Sequence, residues 1–283
     1  MKRVLLILTG FCLAATCLYA RPSIPVAAPD SVMTARLDSL LERYTAALVQ
    51  ESVEVKNSEC DFIIGSVADS LTMQHVALKL FNFYKESLLM GDEAVAVHIF
   101  DTWFKPGRVK MGSDFERFEA ELFADFNRSS LIGMKAPEVE MFTPCGRRVK
   151  TPEQGSHSIL FFFDTGCGKC RLEAQLLPSV LEKIPFPTRF YAVYCGHDKK
   201  EWRKFRRDFK VRNRHVGVVH VWDPEVASDY LRKYGVLSTP RLFITDTDGE
   251  ILGRRLEIES LNEIIYYICE YYGQAQQKND QGR

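Results

Sequence analysis

The segment Phe161-Phe162-Phe163-Asp164-Thr165-Gly166-Cys167-Gly168-Lys169-Cys170 limits what this chain can fold into more than any other stretch. Ser158 to Phe163 is an unbroken apolar run, the pattern of a strand covered on both faces. It enters a Cys-x-x-Cys, and Gly168 to Lys183 then reads as a helix. On the first turn of a helix, residues i and i+3 face the same side, so the two sulfurs come within disulfide reach. The first cysteine sits where unpaired backbone N–H groups and the helix dipole favour negative charge. The Cys167 thiol is therefore expected to ionise easily, and the thiolate is the nucleophile. Lys169 adds to that bias. Cys167 would attack a substrate disulfide, and Cys170, one turn deeper, would resolve the mixed disulfide.

Strands and helices alternate around this segment, from Leu131 onward. Val139 to Phe142 reads as a short strand, with a turn at Cys145-Gly146. Strands follow at Arg189 to Cys195, Val216 to Trp222, Leu242 to Thr245 and Ile251 to Arg255, the last two joined at Asp248-Gly249. Lys199 to Lys210 and Glu225 to Tyr234 read as helices, and Ser260 is placed to cap a final helix ending at Tyr272. The result is an α/β domain, a central sheet flanked by helices, over residues 131–273. The polar residues 274–283 read as a frayed tail.

Before it, residues 21–130 read as a mostly α-helical domain. Met33, Leu37, Leu40, Leu41, Tyr44 and Leu48 recur at helical steps. Ser70 is placed to cap a helix carrying Met73, Val76, Leu80, Phe81, Tyr84 and Leu88. Ala94 to Phe104 follows, ended by Pro106-Gly107, and Phe115, Phe118, Leu122 and Phe126 mark one more helix. His75 and His98, among apolar neighbours, read as core or groove histidines.

Residues 1–20 stand apart. Lys2 and Arg3 precede the apolar run Val4 to Leu18, and Leu18-Tyr19-Ala20 offers a small residue at a cleavage point. This is the pattern of a secretory signal; an uncleaved membrane anchor is the alternative. Ala14-Ala15-Thr16 before Cys17 makes a poor lipobox. Outside the signal remain Cys60, Cys145, Cys167, Cys170, Cys195 and Cys269. An even count in an exported chain is compatible with structural disulfides, but only Cys167 and Cys170 lie close in sequence. Cys195 and Cys269 read as small buried residues and Cys145 as an exposed turn residue.

Other uses of a Cys-x-x-Cys fit less well. A zinc site needs two more ligands, whereas His157, His197, His215 and His220 are dispersed and no second Cys-x-x-Cys occurs. A copper chaperone wants a wider cysteine spacing. A peroxiredoxin-type peroxidase wants Thr or Ser three residues before its cysteine, where this chain has Asp164. No metal and no cofactor is expected. Charge is balanced, 37 basic against 37 acidic residues, which argues against a nucleic-acid binder. Lys199 to Arg214 nevertheless holds nine basic residues, either the solvated side of an amphipathic helix or a docking face for an acidic partner or lipid headgroups.

Two residues near the dithiol have open readings. Glu173, the next helical neighbour of Cys170, is either a proton shuttle for the resolving thiol or an exposed helix residue. Pro240, seventy residues after Cys170, enters a strand. A cis Thr239–Pro240 bond would leave the Thr239 backbone free to pair with an extended substrate beside Cys167; an ordinary trans loop proline is the alternative.

Gly133-Met134-Lys135-Ala136-Pro137, the hairpin around Gly146, the strand and Cys-Gly-Lys-Cys, Glu173, and Tyr234-Gly235-Val236 with Thr239-Pro240 before Leu242-Phe243-Ile244-Thr245-Asp246 form one set. Residues 131–272, about half the chain, thereby resemble the TlpA/ResA-like branch of the thioredoxin superfamily. The resemblance implies a thioredoxin-like sheet, a cis Pro240, and Glu173 as the active-site glutamate. It also implies a thiol–disulfide oxidoreductase that acts as a reductase on protein thiols and draws electrons from a membrane-linked thiol donor. A disulfide oxidase or isomerase is the first alternative, and a non-catalytic binding protein on a thioredoxin scaffold the second. The family's usual Trp before the first cysteine is replaced by Gly166, which alters the surface offered to partners, and Asp164 stands where many members have Ala. Met90-Gly91-Asp92-Glu93-Ala94-Val95-Ala96-Val97-His98 is similar to a helical domain that precedes thioredoxin-like domains in exported Bacteroidota proteins, which implies a periplasmic location. None of these features sets the oligomeric state.

Overall fold

The structure, a computed structural model, describes the backbone of residues 31–281 and the side chains of residues 32–271. The expected signal segment, residues 1–20, lies outside the described residues. Helices come first: α1 (Ser31–Ala47), α2 (Val53–Ser66), α3 (Ser70–Glu86), α4 (Asp92–Ile99), which continues as a wider π turn over Phe100–Phe104, and α5 (Asp114–Asn127). Caps start them. Ser52 accepts from the Val55 N–H, Asp69 from the Thr72 N–H and Ser113 from the Glu116 N–H. Asp69, not Ser70, therefore caps α3: its carboxylate reaches both the Thr72 N–H and the Thr72 hydroxyl, at 2.8 Å each.

Helix α2 has no counterpart among the individual helices read from the sequence. Its buried stripe is Lys56, Cys60 and Ile64. A lysine in that stripe breaks the apolar period. Its Nζ is satisfied 2.8 Å from Asp92 at the start of α4, a pair that ties the two helices together. Val76, Leu80, Phe81 and Tyr84 of α3 are buried, as are Val95, Ala96, Ile99 and Phe100.

The second half is built on β1 (Val139–Phe142), β2 (Arg148–Thr151), β3 (His157–Phe163), α6 (Gly168–Leu181), β4 (Thr188–Tyr194), α7 (Lys199–Asp208), β5 (Val216–Trp222), α8 (Tyr230–Lys233), β6 (Arg241–Thr245), β7 (Ile251–Arg254) and α9 (Ile258–Gln281). The strands form one mixed sheet in the order β2-β1-β5-β4-β3-β6-β7. Strands β3, β4 and β5 run parallel, with Phe161 opposite Ala192 and Ala192 opposite His220. Strand β6 is antiparallel to β3, with Phe162 opposite Arg241. Every residue of β3 is buried. Side chains alternate across a strand, so Ile159, Phe161 and Phe163 join the core under α6, α7 and α9. Leu160 and Phe162 join the opposite core with Tyr191, Tyr230, Tyr234 and Phe243. Burying each of these large side chains contributes about 1.5–3 kcal/mol.

The larger differences from the sequence reading lie in α8 and α9. The helix expected over Glu225–Tyr234 is only Tyr230–Lys233. Asp223 accepts from the N–H groups of Ala227 and Ser228, and Val226 and Asp229 take left-handed φ of 55° and 57°, which makes this stretch a turn. Ser260 lies inside α9 and does not cap it, and the α9 backbone runs past Tyr272 to Gln281. Strand β2 after the Gly146 turn completes a hairpin with β1, pairing Val139 with Thr151.

Side chains of α4 and α5 meet the sheet around Arg254. Its side chain is fully buried, with Nη1 3.1 Å from a Glu93 carboxylate oxygen and out of line for a hydrogen bond, and Nη2 donating to Asn127 Oδ1 at 2.9 Å. Gly235 packs against α5: its φ is +60°, and a Cβ there would lie 2.3 Å from the Phe126 carbonyl oxygen. Glycine meets both demands.

Candidate active site

Cys167 is the N-cap of α6, in extended conformation. Strand β3 delivers the chain to this point, and the loop between them is fastened locally. Asp164 Oδ1 accepts from the Gly166 N–H at 2.8 Å, and Arg171 Nη1 donates to the carbonyls of Thr165 (3.0 Å) and Gly166 (3.3 Å). Asp164 is thus occupied as a turn residue. Gly166 is exposed, and a Cβ there would meet nothing closer than Asp164 Oδ1 at 3.4 Å, so the surface beside the first cysteine is open.

The Cys167 sulfur is half-buried and accepts from the Cys170 N–H at 3.2 Å. It also lies 3.4 Å from the carbonyl oxygen of Thr239, to which its thiol donates. Burial opposes the thiolate, but hydrogen bonding from Cys170, Thr239 and the Lys169 N–H outweighs it and holds the Cys167 thiol below the usual cysteine range. Cys170 is buried, and burial, followed by its interaction with Cys167, pushes its thiol up to about 12. The two thiols are thus strongly unequal. One is accessible and easily ionised, the other deep and protonated. The Thr239–Pro240 bond is cis, and so is Thr151–Pro152, which the sequence reading did not single out.

Glu173 lies one turn beyond Cys170. It is 5% exposed, which removes the reading of an exposed helix residue. Burial raises its pKa to about 7; the Lys169 ammonium works the other way, while Glu257 and Glu259 add to the rise. One carboxyl oxygen is 3.9 Å from Lys169 Nζ, and the other is buried without a hydrogen-bond partner. A carboxyl group poised near neutrality, one helical turn beyond a protonated thiol, is of the kind that gives or takes a proton.

Two neighbours of the site escaped the sequence reading. Glu257, in the turn between β7 and α9, sits 2.9 Å from Lys169 Nζ. Arg241 follows Pro240 directly and donates to Ser238 Oγ at 2.8 Å. A charged residue just after Thr-Pro, opening a strand otherwise buried, was the available signal for Arg241. Nothing in the local pattern marks Glu257.

The remaining cysteines stand apart from this chemistry. Cys195 packs on the core across the sheet from Cys170, and burial pushes its thiol up to about 12. Burial does the same for Cys60. Cys145 is exposed on the β1–β2 turn, where Thr143 and then the Arg147 N–H lower its pKa. His98 pairs with Asp61 at 2.9 Å.

A parallel three-strand centre extended by antiparallel edges, with a dithiol at the first turn of the helix after β3 and a cis-proline loop facing it, defines a thioredoxin-like fold. No family model matches the chain, and no curated protein does. Among solved structures it is similar to a thioredoxin-like protein from Bacteroides caccae, with TM-score 0.64 and 11% identity over 84% of this chain and 87% of that one. It also shares 27% identity with a domain of a possible thiol-disulfide isomerase from Cytophaga hutchinsonii, over 53% of this chain and 99% of that one, at TM-score 0.44. The thioredoxin domain of a thiol-disulfide oxidoreductase from Bacteroides vulgatus is similar at 20% identity and TM-score 0.43, over 50% of this chain and 99% of that one.

Proposed function

We propose that the chain is a thiol–disulfide oxidoreductase of the TlpA/ResA-like type, acting as a reductase on protein disulfides. The observation that carries this is the unequal pair: an accessible Cys167 sulfur held by helix N–H groups 3.4 Å from the Thr239 carbonyl, above a buried Cys170. The Cys167 thiolate attacks a client disulfide. A Cys167–client S–S bond forms, and the other client sulfur leaves as a thiolate. Glu173, acting as base, takes the Cys170 proton, and Cys170 attacks the Cys167 sulfur, forming the Cys167–Cys170 disulfide and releasing the second client thiolate. The client gains two electrons and the pair loses two. The protons given up by Cys167 and Cys170 end on the client thiols. The backbone of Thr239, beside Cys167, pairs with the client segment, and exposed Gly166 leaves room for it.

The direction rests on the family resemblance, as do residence in the periplasm and a membrane-linked thiol donor that regenerates the dithiol. Among the described residues no helix is long and apolar enough to cross a membrane. Titration in thiol buffers of defined potential, with alkylation and mass readout at Cys167 and Cys170, tests the proposal. A midpoint near about −270 mV fits a reductant, whereas one between about −180 and −120 mV converts it to an oxidase or isomerase. Cys170→Ser is expected to accumulate disulfide-linked clients and Cys167→Ser to abolish exchange. Unchanged exchange by Cys167→Ser removes the proposal altogether.

A further inference from the structure

Two residues past Thr239, Arg241 opens β6 next to the end of β7: Phe243 pairs with Arg254 and the Leu256 N–H bonds the Leu242 carbonyl, which brings Arg241, Arg254 and Arg255 to neighbouring strand ends. Arg241 follows the cis-proline. Its Nη2 donates to Ser238 Oγ at 2.8 Å and its Nη1 to the Pro240 carbonyl at 3.3 Å, while its buried Nε has no hydrogen-bond partner. Arg254 ends β7 and Arg255 follows it. Arg254 is buried and takes Glu93 as its counter-ion. Arg255 is exposed, holds a left-handed φ of 52°, and donates from Nη2 to Asn127 Oδ1 at 2.6 Å.

Two of the nearby carboxylates already have cationic partners. Glu93 faces Arg254, and Glu257 faces Lys169 at 2.9 Å. Among the described residues neither Arg241 nor Arg255 has an acidic partner. On that strand-end geometry, burial and then the Arg255 charge lower the Arg241 pKa, and the Arg241 charge opposes the rise at Lys169 inside the Cys-Gly-Lys-Cys. Helical residues set this up. Asn127 at the end of α5 offers one oxygen to both Arg254 and Arg255, and Glu93 of α4 neutralises only the inner of the two. Uncompensated guanidinium groups placed by neutral acceptors suit a planar anion, which they bind through paired N–H groups.

We propose that Arg241 and Arg255 form a carboxylate-binding site beside Thr239, which selects client segments carrying an acidic residue close to the reactive cysteine. The site rests on the exchange reading above, because the client strand that pairs with Thr239 is what brings the carboxylate to it. It also gives the helical half a task at the redox site, that of holding Arg255 outward. A carboxylate can come from a client side chain or from a small thiol such as glutathione, and the test separates the two.

The full chain, reduced, is mixed with disulfide-linked dimers of a short cysteine peptide bearing Glu, Gln or Lys beside the cysteine, and with glutathione disulfide. Rate constants are read from acid-quenched mixtures by mass. Expected is a rate about tenfold higher for the Glu peptide than for the Gln peptide at low ionic strength, shrinking as salt is added. Arg241→Gln and Arg255→Gln should bring that ratio close to one, and Arg255→Glu should favour the Lys peptide. Arg255 is on the surface, so its variants carry the test where Arg241→Gln fails to fold. Equal Glu and Gln rates in the parent chain, or a ratio that survives both substitutions, overturn the site. Glutathione disulfide outrunning the Glu peptide, with the same arginine dependence, overturns its assignment to client segments. If no peptide reacts, the Gln control included, it is the exchange reading that falls.

Discussion

Glu173 ties stability to chemistry at the scale of one residue. Its pKa is about 7 in the folded chain against 4.5 for a free side chain. Below 4.5 both folded and unfolded states hold the proton. Between 4.5 and about 7 only the folded state holds it, so stability falls as pH rises through that window and levels off above it. Glu173→Gln has no such proton to lose. The melting temperature of the parent chain should therefore drop relative to Glu173→Gln from pH 4.5 toward pH 7; two curves that stay parallel would show that the carboxyl is ionised throughout. At this scale the sequence was most informative where spacing alone sets geometry. Cys167 and Cys170 are three residues apart on a helix start, and their unequal burial and opposite pKa shifts agree with that spacing. The depth of Glu173 does not follow. The same spacing places it one turn beyond Cys170, but its burial is created by residues of other elements.

Elements were legible where one pattern governs them. Strand β3 has its apolar run, and β5 was bounded at Val216 and Trp222, as found. Helix α2 was hidden because a stripe position holds Lys56, whose partner Asp92 comes 36 residues later. The turn Glu225–Asp229 was hidden for a related reason: Asp223 offers the backbone an alternative to helix that composition does not display. The loop from Gly235 to Pro240 is the element where a small change should cost most. Gly235→Ala adds a methyl group 2.3 Å from the Phe126 carbonyl at a φ of +60°. Strain and clash together should destabilise the fold by about 2–4 kcal/mol, read by denaturant titration. A loss below about 0.5 kcal/mol would mean that α5 shifts freely away from the loop.

Over the whole molecule, the contacts that join helices to sheet were the least legible. Arg254 and Glu93 are far apart in sequence, and neither carries a local signal for the other. The structure makes their ion pair testable. Glu93→Gln leaves the Arg254 guanidinium buried without a counter-charge, and breaking such a pair costs about 3–5 kcal/mol. Burial already lowers the Arg254 pKa to about 10 with Glu93 in place. Equilibrium denaturation should show the full loss in Glu93→Gln and a smaller one in Glu93→Gln combined with Arg254→Met. Equal losses in the two would mean that the charge is not the cause.

The stretch Gly235 to Thr239 has a mechanical consequence. One end is pressed on the Phe126 carbonyl of α5, and the other touches the Cys167 sulfur. Five residues span at most about 17 Å when fully drawn out. The stretch is bent, with the Leu237 N–H bonding the Gly235 carbonyl at 3.0 Å, so its ends lie closer than that limit. Any displacement of the last turn of α5 has at most those five residues in which to be absorbed before it reaches the Thr239 carbonyl beside the Cys167 sulfur.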